Sequence, residues 1–170
     1  MFEQTDDDWK ENTSFEQNNA ELERRMLGGA NWFFWIAALS LVNSVISLYG
    51  GGWGFSIGLG FTQILDAVAH NYVAGGGAEW LRTAVFLLDL AIVGLFVAFG
   101  IFARKANMMA FVTGLILYVL DAVLFFFSGR IGDFYHYSGA ILGVLIHAVA
   151  IYFIFSGLLA ARKLNETKIT

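Results

Sequence analysis

Across residues 58–70, GLGFTQILDAVAH, the side chains Gln63, Asp66 and His70 recur at spacings of three and four inside a run otherwise apolar enough to enter a lipid bilayer. Three further ionisable residues, Asp89, Asp121 and His147, stand in longer apolar runs. Such groups cost about 2.5–3.5 kcal/mol each on insertion scales, so they are expected to face other helices or a wet cavity. A carboxyl in low dielectric holds its proton more firmly, and one member of a close pair more firmly still. Asp89 and Asp121 are therefore expected to share a proton, which His147 and His70, titrating near neutrality, can pass on. The chemistry within reach is proton or cation binding by Asp66, Asp89, Asp121, His147 and His70, with Gln63, Asn43 and Arg82 as supporting polar groups. The competing expectation is that these residues are hydrogen-bonding glue between helices, each bond worth about 0.6 kcal/mol.

Other chemistries find less support. Asp66 and His70, at i and i+4, can hold one ion from one helix, with His147 or Asp121 completing the set, yet that spacing is common and no H-E-x-x-H occurs. No metal and no cofactor is expected. Serines are present without a G-x-S-x-G motif, and the chain has no cysteine to supply a thiolate, so no catalytic residue is expected. No motif marks a known family.

The elements that must position these residues are membrane spans. Of 170 residues, 58% are apolar and 16% aromatic. The mean hydropathy is +0.64, well above an ordinary soluble domain. Four runs, about 30–49, 80–103, 107–128 and 137–161, each reach the ~20 residues needed to cross a hydrocarbon core. Arg24 and Arg25 precede the first, Arg104 and Lys105 join the second and third, and Arg162, Lys163 and Lys168 follow the last. The positive-inside rule puts all three groups, and both termini, in the cytoplasm. The segment about 55–73 must then enter and leave on one side. The expected fold is an all-α integral membrane protein, a four-helix transmembrane bundle with an additional outer re-entrant or interfacial helix; five spans is the alternative.

On a helix through 57–72, Ile57, Phe61, Ile64, Leu65, Val68 and Tyr72 form one stripe and Thr62, Gln63, Asp66 and His70 the opposite one. A rise of about 1.5 Å per residue puts Asp89 and Asp121 roughly 10–14 Å, and His147 about 15 Å, below the outer ends of their runs. Polar groups thus gather at one level. Leu65-Asp66-Ala67-Val68 also recurs as Leu120-Asp121-Ala122-Val123, a weak sign of duplication.

Residues 1–25 carry eight acids against Lys10, Arg24 and Arg25, a composition expected to stay unordered as a cytoplasmic tail. The membrane domain is expected over 26–163 and a short cytoplasmic tail over 164–170. Without a basic face, nucleic acid is excluded as a partner. The expected partners are the lipid bilayer and a second copy or another membrane protein, in the plasma or inner membrane. Two functions remain: an accessory or structural subunit without catalytic activity, or a proton- or cation-coupled transporter or channel.

Overall fold

A computed structural model describes residues 6–49, 58–128 and 137–167, and among them the chain is all-helical. The five helices are α1 (Asp6–Leu48), α2 (Gly60–Ala74), α3 (Trp80–Ala103), α4 (Met108–Ser128) and α5 (Tyr137–Thr167). Helices α1, α3, α4 and α5 are long and apolar enough to cross a membrane. The 15 residues of α2 give a rod of only about 22 Å. The glycines of 50–52, Trp53 and His136 lie outside the described residues.

Helix α1 is the organising element, packed along both α3 and α5. Its closest approach to α5 is backbone on backbone. A Cβ on Gly29 would stand 2.6 Å from the Phe153 carbonyl oxygen and 2.7 Å from Gly157 Cα. Only two glycines facing each other allow that crossing, a device suited to helices that gain nothing from hiding apolar surface in a lipid medium. Beside it, Trp32 stacks on Phe153 at 5.5 Å between ring centroids. Phe33 then centres an aromatic cluster with Phe96, Phe99 and Phe111, at 6.3, 6.0 and 6.1 Å. These rings fill the half of the bundle distant from α2.

The α3–α4 connector closes that distant end. Ala106 adopts a left-handed φ of 57°. The Asn107 side chain accepts the Ala110 N–H at 3.1 Å, capping α4. Arg104 donates from Nε and Nη2 to Asn31 Oδ1 at 3.1 and 2.6 Å, and its guanidinium lies 4.8 Å from the centre of the Phe34 ring. Asn165 of α5 bonds the Ala106 carbonyl at 3.0 Å. The basic residues Arg25, Arg104 and Arg162 therefore share one end, opposite α2.

Backbone from Asp6 onward is helical and continuous with α1, where composition alone suggested an unordered leader to residue 25. An Arg25–Glu21 pair at 2.6 Å spans one turn. A helix already anchored in a bundle also extends without a new nucleus.

Helix α2 starts deep and climbs out. Gly58 lies against Ser40 and Asn43, about 12 Å below the end of α1 at Leu48 by helical rise. Its apolar stripe faces outward, with Val68 60% and Tyr72 56% exposed, while Thr62 and Ala69 are buried against the bundle. The α2–α3 connector turns at Gly76, φ 92°. The same inversion holds elsewhere: Leu87, Leu95, Ile116 and Phe155 are exposed, whereas Asp89, Asp121 and His147 are buried.

If the α1–α5 crossing depends on backbone contact, Gly29→Leu must drive the helices apart and should cost about 1–3 kcal/mol in detergent unfolding. Gly94→Ala, whose Cβ would meet nothing within 4 Å, should stay within about 0.5 kcal/mol of the parent. Equal effects at the two positions would contradict this account of the crossing.

Candidate functional site

The start of α2 sets the first requirement. Opening N–H groups of a helix have no partner within it, and away from water each must find one. They do so on two neighbouring helices. Ser40 of α1, itself bonded to the Ile36 carbonyl, accepts the Leu59 N–H at 2.8 Å. Asp121 of α4 accepts the Gly60 N–H on Oδ2 at 2.9 Å and the Phe61 N–H on Oδ1 at 2.8 Å. A carboxylate thereby meets the positive end of a helix dipole through two charge-assisted bonds.

Two glycines make the approach possible. Gly58 has φ 130°, a conformation that strains any other residue, and its missing Cβ leaves room for Asn43 Nδ2 and Ser40. A Cβ on Gly60 would fall 2.8 Å from Phe125 Cβ. Thr62 Oγ1 completes the turn by donating to the Leu59 carbonyl at 2.9 Å.

His147 of α5 supports Asp121 from the far side. Its Nδ1 lies 2.8 Å from the Gly143 carbonyl, which only accepts, so Nδ1 carries a proton. Its Nε2 faces Asp121 Oδ2 at 3.4 Å, and a hydrogen bond across that gap needs one further proton on either atom. The imidazole is held flat between Tyr118 and Phe125, with ring centroids at 5.1 and 5.0 Å.

One helical turn along α1, a second set of polar groups meets. Ser44 Oγ donates to Asp89 Oδ2 at 2.8 Å. Asp66 of α2 stands beside Asp89, Ser44 and Ser47. Asp89 is fully buried, and its Oδ1 has no hydrogen-bond donor among the described residues. A proton on the adjacent Asp66 carboxyl would supply the donor that the other described residues do not. Above them a cleft of about 10 Å³ is bounded by Ser47, Asp66, His70, Arg82 and Phe86, room for about one water. Arg82 Nε is buried there with no acceptor among the described residues.

The expected level of polar groups is thus present but divided. Asp66 and Asp89 come together on the α2–α3 side; Asp121 and His147 come together on the α4–α5 side. Asp89 takes Asp66 rather than Asp121 as its neighbour. Asn43 lies in the first set, against Gly58, while Gln63 is half-buried on α2. His70 is exposed at the cleft mouth. Among the described residues no three His, Asp or Glu side chains are close enough to hold a metal ion.

The two copies of Leu-Asp-Ala-Val also differ, one on a short helix facing Asp89 and one capping that helix. Ser40 and Ser44 join the site beyond the residues expected from the sequence, and their signal there is the polar stripe that Ser40, Asn43, Ser44 and Ser47 form at helical spacing along α1.

Asp121→Asn should test the clamp on α2. An amide offers one oxygen where two N–H groups need acceptors, so one bond is lost, costing about 1–3 kcal/mol. Hydrogen exchange should show faster opening at Gly60–Gln63 with α3 and α5 unchanged. Exchange that speeds up uniformly, or not at all, would assign Asp121 another role.

Comparison with known protein-family models, curated proteins and solved structures finds no match to this chain.

Proposed function

We propose that the chain is a small multi-pass membrane protein acting as an accessory or structural subunit, with no catalytic activity of its own. Its α2 is a re-entrant helix on the extracytoplasmic side, and both termini face the cytoplasm of a plasma or inner membrane. The clustering of Arg25, Arg104 and Arg162 at the end opposite α2 supports this orientation. The outward apolar and inward polar faces of α2 support its placement in lipid.

The observation that carries the subunit reading is what the buried polar groups do. Asp121, Ser40 and His147 are all engaged in holding α2 against the bundle. Beneath them the Phe33, Phe96, Phe99 and Phe111 rings fill the half of the bundle distant from α2, an apolar barrier to a proton within one copy. Lipid and a second copy or another membrane protein are the partners that fit so large an exposed apolar surface.

A specific observation favours a second reading, a proton- or cation-coupled transporter. Asp66 and Asp89 face each other below a cleft, and among the described residues no backbone or hydroxyl donor reaches Asp89 Oδ1. Two carboxyls so placed bind one proton between them more readily than none. In this reading Asp121, His147 and His70 extend the relay, with Gln63, Asn43 and Arg82 as polar support, and a conducting path requires more than one copy.

Proteoliposomes separate the two. For the subunit, an imposed pH gradient should decay as slowly as in protein-free vesicles, with wild type and Asp89→Asn alike. Faster decay in wild type, abolished in a folded Asp89→Asn variant, would establish transport instead. Because the chain has no cysteine, single cysteines report orientation cleanly: an impermeant maleimide added outside cells should label Tyr72→Cys and spare Lys163→Cys. Cross-linking in native membranes should then trap a complex of fixed mass containing a second protein, and a chain recovered only as monomer would sink the subunit reading.

A further inference from the structure

At the end of the molecule opposite α2, helices α1 and α5 part beyond their Gly29–Gly157 contact and leave a cleft of about 300 Å³. Its walls are of two kinds. Leu22, Leu159 and Ala160 give it an apolar flank, with the Ser156 hydroxyl among them, and Arg25, Arg162 and Lys163 form a basic rim. We propose that this cleft binds the headgroup of an anionic phospholipid, with one acyl chain lying along the apolar flank. The placement rests on the membrane orientation proposed above.

Three observations point to that ligand. The cleft lies where the apolar run of α5 gives way to Arg162 and Lys163, so its apolar wall meets acyl chains at the level where its cations meet phosphate. Basic pockets between helices at a cytoplasmic interface suit anionic headgroups for this reason. The rim also offers cations in usable form. Lys163 pairs with no carboxylate among the described residues, while Arg25 is paired with Glu21 at 2.6 Å and Arg162 with Glu166 at 2.9 Å. Both pairs are one turn apart on their own helices and largely exposed, a setting in which ion pairs contribute little. A phosphate can therefore draw either guanidinium into a two-pronged, charge-assisted contact without a large opposing loss. Glu166, which also lines the cleft, leaves it net positive. Finally, the two-walled shape distinguishes it from a solvated basic patch, since a free anion would have no use for Leu22 and Leu159.

The test uses the full chain purified in a mild non-ionic detergent. Thermal unfolding is followed with added phosphatidylglycerol, phosphatidylcholine or inorganic phosphate, and bound lipid is counted by native mass spectrometry. Phosphatidylglycerol should raise the unfolding temperature saturably and be retained as a discrete adduct, and the other two should do neither. Arg162→Gln with Lys163→Gln should weaken the effect about tenfold or more, whereas Lys105→Gln, a basic residue at the same end outside the cleft, should leave it unchanged. Lys163→Gln alone, at an exposed position, should weaken it measurably and keeps the test open if the double variant is poorly folded. An equal response to phosphatidylcholine would reduce the effect to general solvation by lipid; an equal response to phosphate would make a free anion the ligand; an equal loss in Lys105→Gln would mean diffuse attraction. Any of these overturns the proposal. Flotation of the protein with phosphatidylcholine vesicles checks membrane insertion separately, so failure of that reading is told apart from failure of this one.

Discussion

Asp121 bonding the first N–H groups of α2 is the contact on which the remaining architecture depends. A helix that starts inside a bundle presents donors that nothing in its own sequence can satisfy, because Leu59 at its N-cap has no side-chain acceptor. The acceptors must come from neighbours and must arrive at hydrogen-bond distance. That requirement fixes the depth of α2 against α4, and the glycines at 58 and 60 follow from it, since a Cβ at either would hold the backbone away. It also explains why an acid is used rather than an amide or hydroxyl: a carboxylate accepts two parallel N–H bonds while meeting the positive end of the helix dipole.

The same geometry separates the two acid sets. Asp121 meets α2 at the level of Ser40, and Asp66 meets Asp89 at the level of Ser44, one turn or about 6 Å apart along α1. The deeper acid has both oxygens engaged by backbone N–H groups. The shallower pair leaves one Asp89 oxygen without a donor and lies next to a cleft. An acid with both oxygens held by backbone N–H groups is suited to structure; one with a donor-free oxygen near an opening is suited to exchange. This difference in hydrogen-bond saturation, more than the shared residue type, makes Asp66 and Asp89 the candidates for binding and Asp121 the candidate for architecture.

Much of this was legible in the sequence. Length and apolar character are one-dimensional properties, so the four long helices and the short amphipathic one could be read directly, as could the gathering of polar groups at one depth. Their pairing could not. Depth along a helix is a single coordinate, whereas a contact also needs the rotation of each helix and the order of its neighbours. Asp89 and Asp121 satisfied the first condition and not the others. The serine stripe on α1 was visible as a spacing, but its purpose depends on α2 returning beside it. The helical stretch from Asp6 was hidden for another reason: composition describes a segment in isolation, while a helix propagating from a packed bundle no longer bears the nucleation cost that keeps such a segment unordered.

The glycine crossing ties the two ends of the molecule together. Gly29 and Gly157 bring α1 and α5 to backbone contact at one point, and rods in contact at a point must diverge on either side of it. Toward α2 the space between α1 and α5 is occupied by Trp32 stacked on Phe153. Away from α2, the α5 side chain facing the gap shortens to Ala160 and the flanking residues are long cations, so the space stays open as the cleft bounded by Arg25 and Lys163. One close approach therefore produces a filled wedge on one side, toward the level where His147 of α5 meets Asp121, and an open wedge on the other, with an apolar floor and a basic rim. Two glycines exchanged for larger residues would alter both wedges at once, which makes the α1–α5 contact the place where the clamp on α2 and the basic cleft become mechanically dependent on each other.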